Sequence, residues 1–347
     1  MKAAILGYEQ AGKRSLFTLL TGREVPPSRK EHEAIEGAAT VADPRVDALA
    51  RLARPKRIRY AETMLVLCPD VPLEGKGAWI ETARGCDLLL VVVRAFHAPE
   101  VFHPRGSVDP ERDRSDLATE ILFADVDLVD KRLERLAKEK RGGLSPLQQA
   151  EEHALRKCQE ALAKGVWLKD ASLDENDAKA LRNLGFLTQK PVLWVYNVDE
   201  EGVRAVREKA HDDPTVFIVS ARMEREIMAI EDPAERRAFL ESLGFDRPGH
   251  ERLAAAAYDA LGLMSFYTVG PDEVRAWTIR KGSLAPTAAG KVHTDMERGF
   301  IRVEIIRYDD LIEAGSEAEA RARGKLQIRG RDYVIQDGDI CHFRFSV

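Results

Sequence analysis

Lys2-Ala3-Ala4-Ile5-Leu6-Gly7-Tyr8-Glu9-Gln10-Ala11-Gly12-Lys13-Arg14-Ser15-Leu16-Phe17 decides how this chain is read. A short apolar run meets a loop bounded by Gly7 and Gly12, and Lys13 follows at the start of a helix-forming segment. That is the order and spacing of a phosphate-binding P-loop, G-x-x-x-x-G-K-[ST], which needs a strand before it and a helix after it. Its glycines let backbone N–H groups wrap a phosphate, and the positive end of the new helix adds to the attraction. Lys13 is expected to reach the β and γ oxygens. The expected phosphate ligands are Gly7, Gln10, Ala11, Gly12, Lys13, Arg14 and Ser15. One position departs from the pattern: Arg14 stands where Ser or Thr would bind magnesium, and Ser15 comes one residue late.

The 347 residues suffice for two or three domains. A hydrophobic content of 44% and a charged content of 32% are those of a globular chain. A net charge of −5 gives no global field for nucleic acid or an anionic membrane, so any RNA contact has to be local. Cys68, Cys86, Cys158 and Cys341 form no C-x-x-C pair, which predicts neither a zinc site nor a disulfide framework. The P-loop begins so close to Met1 that no signal or transit peptide is expected. No apolar run reaches the ~20 residues of a membrane span. A cytoplasmic protein is the expectation.

Outward from the P-loop, apolar runs recur at 3–6, 64–67, 88–93, 192–196 and 216–219. Unbroken runs of this length read as strands buried on both faces, with helices between them, and so as an α/β fold with a mostly parallel sheet. Ligands of such sheets bind beyond the carboxyl ends of the strands. A helical stretch from about Asp113 to Arg141 breaks at Gly142-Gly143-Leu144-Ser145-Pro146, and a second helix follows, making an inserted helical hairpin. Its first arm ends in Lys131, Arg132, Arg135, Lys138, Lys140 and Arg141. These are read either as cations favoured near a helix C-terminus or as an RNA- or ribosome-facing tip. From about Phe266 the texture becomes alternating strands with a helix near 287–292, an α+β unit whose 13 Lys+Arg balance 13 Asp+Glu over residues 265–347.

Several longer stretches carry a family resemblance. They include Asp43-Pro44-Arg45-Val46-Asp47-Ala48-Leu49, Val108-Asp109-Pro110, Phe186-Leu187-Thr188, Val274-Arg275-Ala276-Trp277-Thr278, 293–302, 332–339 and His342-Phe343-Arg344-Phe345. With the P-loop, they make the chain similar from end to end to the YchF/Obg-like ATPases. The resemblance implies a G domain in two parts (1–110 and 185–264), a helical hairpin insertion (111–184) and a C-terminal TGS domain of ubiquitin-like β-grasp fold (265–347). It also implies ATP or GTP as ligand and an association with ribosomes or translation. Where GTPases read guanine with N-K-x-D, this chain has Asn197-Val198-Asp199-Glu200, the N-x-x-E of the Obg-like ATPases, so specificity is expected to relax toward adenine. Ser220-Ala221-Arg222 matches the loop that backs the base. The expected base-side residues are therefore Asn197, Val198, Glu200, Ser220, Ala221 and Arg222.

The chain also departs from that family. The switch Thr position falls near Glu31, and Cys68-Pro69-Asp70-Val71 replaces D-x-x-G. With Arg14, that removes three expected magnesium-organising groups and makes magnesium doubtful. His103 aligns with the family's water-positioning loop His, and is read either so or as an exposed loop residue. Arg14 is read either as a guanidinium that supplies the missing charge to the phosphates or as a residue turned to solvent. The first expectation is a purine-nucleotide-binding regulatory protein with weak or absent hydrolysis. The alternatives are a slow ATPase using His103 with a rebuilt magnesium site through Asp70 or Glu74, and a nucleotide-free TGS scaffold for ribosome, RNA or protein contacts. No membrane partner is expected, and the sequence leaves the oligomeric state open.

Overall fold

A computed structural model of the chain describes residues 1–26, 30, 32–75, 77–140, 143–202 and 213–346. The expected switch position at Glu31, and Arg141 and Gly142 of the hairpin, lie outside these. Strands are numbered in chain order: β1 (Lys2–Leu6), β2 (Ile35–Val41), β3 (Arg57–Arg59), β4 (Ala61–Leu67), β5 (Leu88–Ala95) and β6 (Val192–Val198). They continue as β7 (Val216–Val219), β8 (Leu263–Val269), β9 (Glu273–Arg280), β10 (Phe300–Arg307), β11 (Gln327–Arg329) and β12 (Asp339–Phe345). The chain divides into two compact units, Met1–Gly37 with Met64–His250, and Ala38–Thr63 with Glu251–Val347.

The first sheet has the order β2-β4-β1-β5-β6-β7, and the β4-β1-β5-β6-β7 pairings are all parallel. Its five runs are those read as doubly buried: every residue of β6 is buried, as are all but the last of β5. Burying each Val or Leu of this kind contributes about 1.5–3 kcal/mol, which is what holds strands so distant in sequence side by side. Helix Lys13–Thr21 begins directly after the P-loop, between left-handed caps at Gly12 (φ 94°) and Gly22 (φ 66°). The parallel strands therefore deliver the P-loop, the loop after β4, the loop after β5 and the base-side loops to the same edge of the sheet.

Helix Pro110–Glu139 starts from an Asp109 cap with proline in its first turn. Helix Pro146–Ala163 starts from a Ser145–Gln148 capping box. The two close over Val129, Leu136, Ala154, Leu155, Cys158 and Leu162. Asp125, fully buried, fastens the first helix to the chain beyond the hairpin. It accepts from Leu187 N (3.1 Å), Thr188 N (2.7 Å), Thr188 Oγ1 (2.8 Å) and Arg84 Nη1 (3.0 Å). The basic run is largely paired along the helices: Lys131 with Asp127, Arg132 with Glu151, Arg135 with Glu139 and Lys140 with Glu152.

The second sheet has the order β11-β10-β12-β8-β9-β3. One face packs Phe266, Phe300 and Phe343 against the small-residue helix Ala285–Val292, with Phe266 and Phe343 edge to face at 5.7 Å. The sequence placed residues 38–63 wholly within the first G-domain segment. In the structure β3 instead extends this second sheet, pairing parallel with β9. Helix Pro44–Ala53 is fixed to the same unit: Arg45 Nη1 binds Asp337 Oδ2 at 2.6 Å, and the Tyr267 hydroxyl donates to Asp43, the helix cap.

Candidate nucleotide site

The cradle is built by contacts that only glycine permits. A Cβ on Gly7 (φ 148°) would lie 2.3 Å from the carbonyl oxygen of Val92, and one on Gly12 (φ 94°) would lie 2.1 Å from Asn197 Nδ2. Gln10 also has positive φ, 59°, so the loop turns tightly between the glycines. A cavity of about 260 Å³ opens here, lined by Glu9, Gln10, Gly12, Lys13, Arg14, Ser15 and Asp70. Lys13 is buried and its ammonium also contacts the carbonyl of Tyr8; Arg14 is exposed and Ser15 half-buried.

The loop after β4 supplies a residue that sequence raised only as a magnesium substitute. Backbone bonds from Cys68 N to the Ile5 oxygen (3.0 Å) and from Val71 N to the Gly7 oxygen (3.1 Å) carry the β1–β4 alignment past the strand ends. Asp70 is thereby held over the cradle, with Oδ1 2.6 Å from Lys13 Nζ. Cys68 lies at 0% exposure with Sγ 3.8 Å from the Val66 oxygen, so the position of the D-x-x-G carboxylate holds an inward-facing thiol. Among the described residues no three His, Cys, Asp or Glu side chains form a metal-holding group. Glu9, Ser15 and Asp70 are the groups on this cavity whose oxygens suit a magnesium ion, and Asp70 is engaged with Lys13.

On the base side, Asn197 at the end of β6 bridges two loops. Its Nδ2 donates to the Ala11 oxygen and its Oδ1 accepts from Ala221 N, both at 3.0 Å. Ser220 caps helix Ala221–Ala229, accepting from Met223 N, and Val198 is buried. Glu200 is exposed, and Arg222 is exposed and paired with Glu226 at 3.3 Å along the helix. Asp199 ties this loop to the loop after β5, accepting from His97 N (3.3 Å) and Gly202 N (2.8 Å). Phe96 stands beside the cradle, its ring edge 4.0 Å from where a Gly12 Cβ would sit.

The loop after β5 is organised around Arg94, 3% exposed, whose guanidinium donates to the carbonyls of Phe96, Ala98, Val101 and Phe102 at 3.0–3.4 Å. Burial lowers its pKa, and its N–H groups are spent on shaping the loop. His103, expected either to position water or to face solvent, is buried at 6% exposure. Nδ1 accepts from Arg105 N (3.1 Å) and Nε2 lies 2.9 Å from Asp113 Oδ2, so both ring nitrogens are engaged. Arg105 binds Asp116 at 2.8 Å and also the Tyr8 hydroxyl, linking this loop to the P-loop; burial raises the Tyr8 pKa and Arg105 partly offsets it.

The whole chain aligns with curated relatives. The "Ribosome-binding ATPase YchF" of Pasteurella multocida is 35% identical over 362 residues, covering 100% of this chain and 99% of the relative. That of Bacillus subtilis is 35% identical over 367 residues, covering 100% of both. The chain belongs to the YchF family. The solved structure titled "Structure of the Schizosaccharomyces pombe YchF GTPase" matches with a TM-score of 0.83 and 29% identity over 99% of this chain and 97% of that one. Residues 263–346 match the YchF-GTPase_C family model, described as "Protein of unknown function (DUF933)". Among the described residues no helix is long and apolar enough to cross a membrane.

Within this YchF-family chain the structure gathers Gln10, Gly12, Lys13, Arg14 and Ser15 on one cavity and joins Ala11, Asn197 and Ala221 by hydrogen bonds. Sequence reading missed Asp199, Phe96 and Arg94. Asp199 sits inside the N-x-x-E loop and was readable as a turn former. Phe96 and Arg94 carry no local signal, because their roles arise only when the β5 and β6 loops meet.

Proposed function

We propose that this chain binds a purine nucleotide, ATP or GTP, in the P-loop cavity and acts as a ribosome-associated regulatory protein that turns the nucleotide over weakly or not at all. The carrying observation is the Lys13–Asp70 pair at 2.6 Å inside an intact cradle, beside an exposed Arg14 at the magnesium position. Gly7, Gly12 and Lys13 supply the phosphate geometry. Phosphate binding then requires Lys13 to exchange the Asp70 carboxylate for a phosphate oxygen, and Arg14 is placed to add a second cation. The Asn197 bridge sets the base-side wall, with Phe96 as its apolar side. Glu200 in place of the guanine-reading Asp favours adenine or relaxed choice. The ribosome comes from the names of the 35%-identical relatives.

A slow ATPase is the second reading, favoured by Asp70 and Ser15 facing the same cavity. In that reading they would hold magnesium, which when bound would neutralise charge between the β- and γ-phosphates. The engaged nitrogens of His103 favour the first reading, because a water-positioning role requires one of them to be released. Titration with a fluorescent ATP analogue, with magnesium and then with excess chelator, tests the proposal alongside steady-state phosphate release. Binding retained in chelator with no turnover dependent on Lys13 is the expected result. Binding lost in chelator, or a steady multiple-turnover ATPase rate abolished by Lys13→Ala, refutes it.

A further inference from the structure

Between β8 and β12 the second sheet is left open along part of its length. β12 pairs with β10 from Asp339 opposite Arg307 to Phe345 opposite Phe300. On its other side, the parallel register with β8 consists among the described residues of Ile340 opposite Tyr267 alone. β8 stops at Val269 and turns through Gly270-Pro271-Asp272 into β9, closed by Gly270 N on the Glu273 oxygen at 3.1 Å. β12 continues to Phe345. Successive residues of a strand direct their N–H and C=O to alternate sides. The stretch Cys341–Phe345 therefore presents backbone donors and acceptors on the β8 side, where no strand pairs with them among the described residues.

A groove of about 590 Å³ fills this gap, with an apolar lining from Val269, Trp277, Val292, Met296, Phe343 and Phe345. Its walls are fixed from behind: Phe343 packs edge to face on Phe266 at 5.7 Å, and Trp277 Nε1 donates to Thr268 Oγ1 at 2.9 Å. Phe345 is 38% exposed, and Val269, Val292 and Met296 are half-buried, so apolar area is left to cover. Charge at the rim is balanced. Asp272 pairs with Lys56 (2.8 Å), Glu273 with Arg59 (3.0 Å) and Arg344 with Glu304 (3.1 Å), which favours neither a polyanion nor a polycation. A compact apolar molecule would cover the side chains and leave the strand edge unpaired, which costs free energy once water is excluded. An extended peptide satisfies both needs, since its backbone continues the sheet and every second side chain enters the groove.

We propose that the β12 edge accepts an uncharged, extended segment of a partner protein as an added strand, with alternate apolar side chains in the groove. This goes beyond the nucleotide and ribosome readings and depends on neither. The probe is a fluorescein-labelled, end-capped peptide of about seven residues, enough to span Cys341–Phe345 in extended form. It alternates valine with threonine and is titrated with the full chain by fluorescence anisotropy. Saturable binding is expected. N-methylation then removes backbone donors without adding charge. Methylating one of the two residue types is expected to abolish binding and methylating the other to leave it within about twofold, because only alternate N–H groups face β12. Phe345→Asp, which sets a charge against the groove, is expected to weaken binding at least about fivefold. Leu147→Asp, 83% exposed on the hairpin, leaves it unchanged. Thermal melting checks that both variants fold, and the methylated peptides test the unaltered chain.

Absence of saturable binding overturns the proposal, as does equal loss, or no loss, on methylating the two residue types. An unchanged affinity in Phe345→Asp places the peptide elsewhere and overturns it too. So does displacement of the peptide by oligouridine, which assigns the groove to nucleic acid. Self-association of the full chain that Phe345→Asp abolishes gives the edge to a second copy and likewise overturns it.

Discussion

Removing Asp70 should make this protein bind nucleotide more tightly. Lys13 is only 3% exposed at its side chain, and the Asp70 oxygen 2.6 Å away is the carboxylate beside it. Two unit charges at that distance attract by about 6 kcal/mol at an effective dielectric near 20. That is an upper bound, because Asp70 remains 39% exposed and solvent screens it. A partly buried, charge-assisted bond of this kind contributes about 1–2 kcal/mol net. An incoming phosphate displaces the carboxylate and so gives up that stabilisation. In Asp70→Ala the competitor is gone and Lys13 is left without that counter-charge, which favours the bound state further. Affinity for a fluorescent ATP analogue in excess chelator should therefore rise about five- to thirtyfold. The unliganded variant should melt at lower temperature and recover when ATP is added. Equal or weaker binding in chelator refutes the reasoning. The same titration with magnesium separates a second role: if Asp70 also holds the cation, any gain from magnesium seen in the parent chain is lost in the variant.

Gly12→Ala should abolish nucleotide binding and cost about 2–3 kcal/mol in urea unfolding. Its Cβ would meet Asn197 Nδ2 at 2.1 Å, and φ 94° strains any side chain. Unfolding unchanged to within about 0.5 kcal/mol would show that the cradle relaxes freely. Glu304, buried in the second unit, is held down to about 2 first by its hydrogen bonds to Arg344, with Arg302 and Arg321 assisting. A depressed carboxyl stabilises the fold above its unfolded pKa near 4.5, and loses that contribution as pH falls toward 2. Glu304→Gln should thus cost about 2 kcal/mol at pH 7, discounted because its arginine partners are about half exposed, and almost nothing near pH 2. A cost that persists undiminished at low pH would assign it to packing instead.

The strands that sequence revealed are those whose own burial writes their signal. Leu88–Val93 and Val192–Tyr196 are apolar because both faces of β5 and β6 are covered, so their place in a parallel sheet was legible. The strand Arg57-Ile58-Arg59 is exposed throughout, and it is a strand because β9 pairs with it from more than 200 residues away. Nothing local encodes that. Asn197 stood out in the sequence through its motif, as an expected base-loop residue. Its geometry is that of a clasp between the P-loop and the Ser220 loop, a role that exists only in three dimensions. The polar partners of the core were equally silent: Asp125 is one carboxylate on a charged helix until Leu187, Thr188 and Arg84 converge on it.

The departures from the P-loop pattern are not scattered, and their placement bears on function. The backbone cradle has glycine at the positive-φ positions 7 and 12, and Asn197 makes both hydrogen bonds of the base-side clasp. Arg14, Cys68 and Asp70 all belong to the segments that would serve the terminal phosphate and its metal. Gly7 and Gly12 hold φ values of 148° and 94° where a Cβ would strike the Val92 oxygen or Asn197, so packing and phosphate binding both favour the same backbone shape. A site still used for binding must retain that shape, while the groups that stabilise charge in hydrolysis become replaceable. An internal carboxylate on Lys13 then sets how much free energy a nucleotide must supply to enter. On the function proposed above, ligand occupancy rather than turnover is the quantity that such a protein reports.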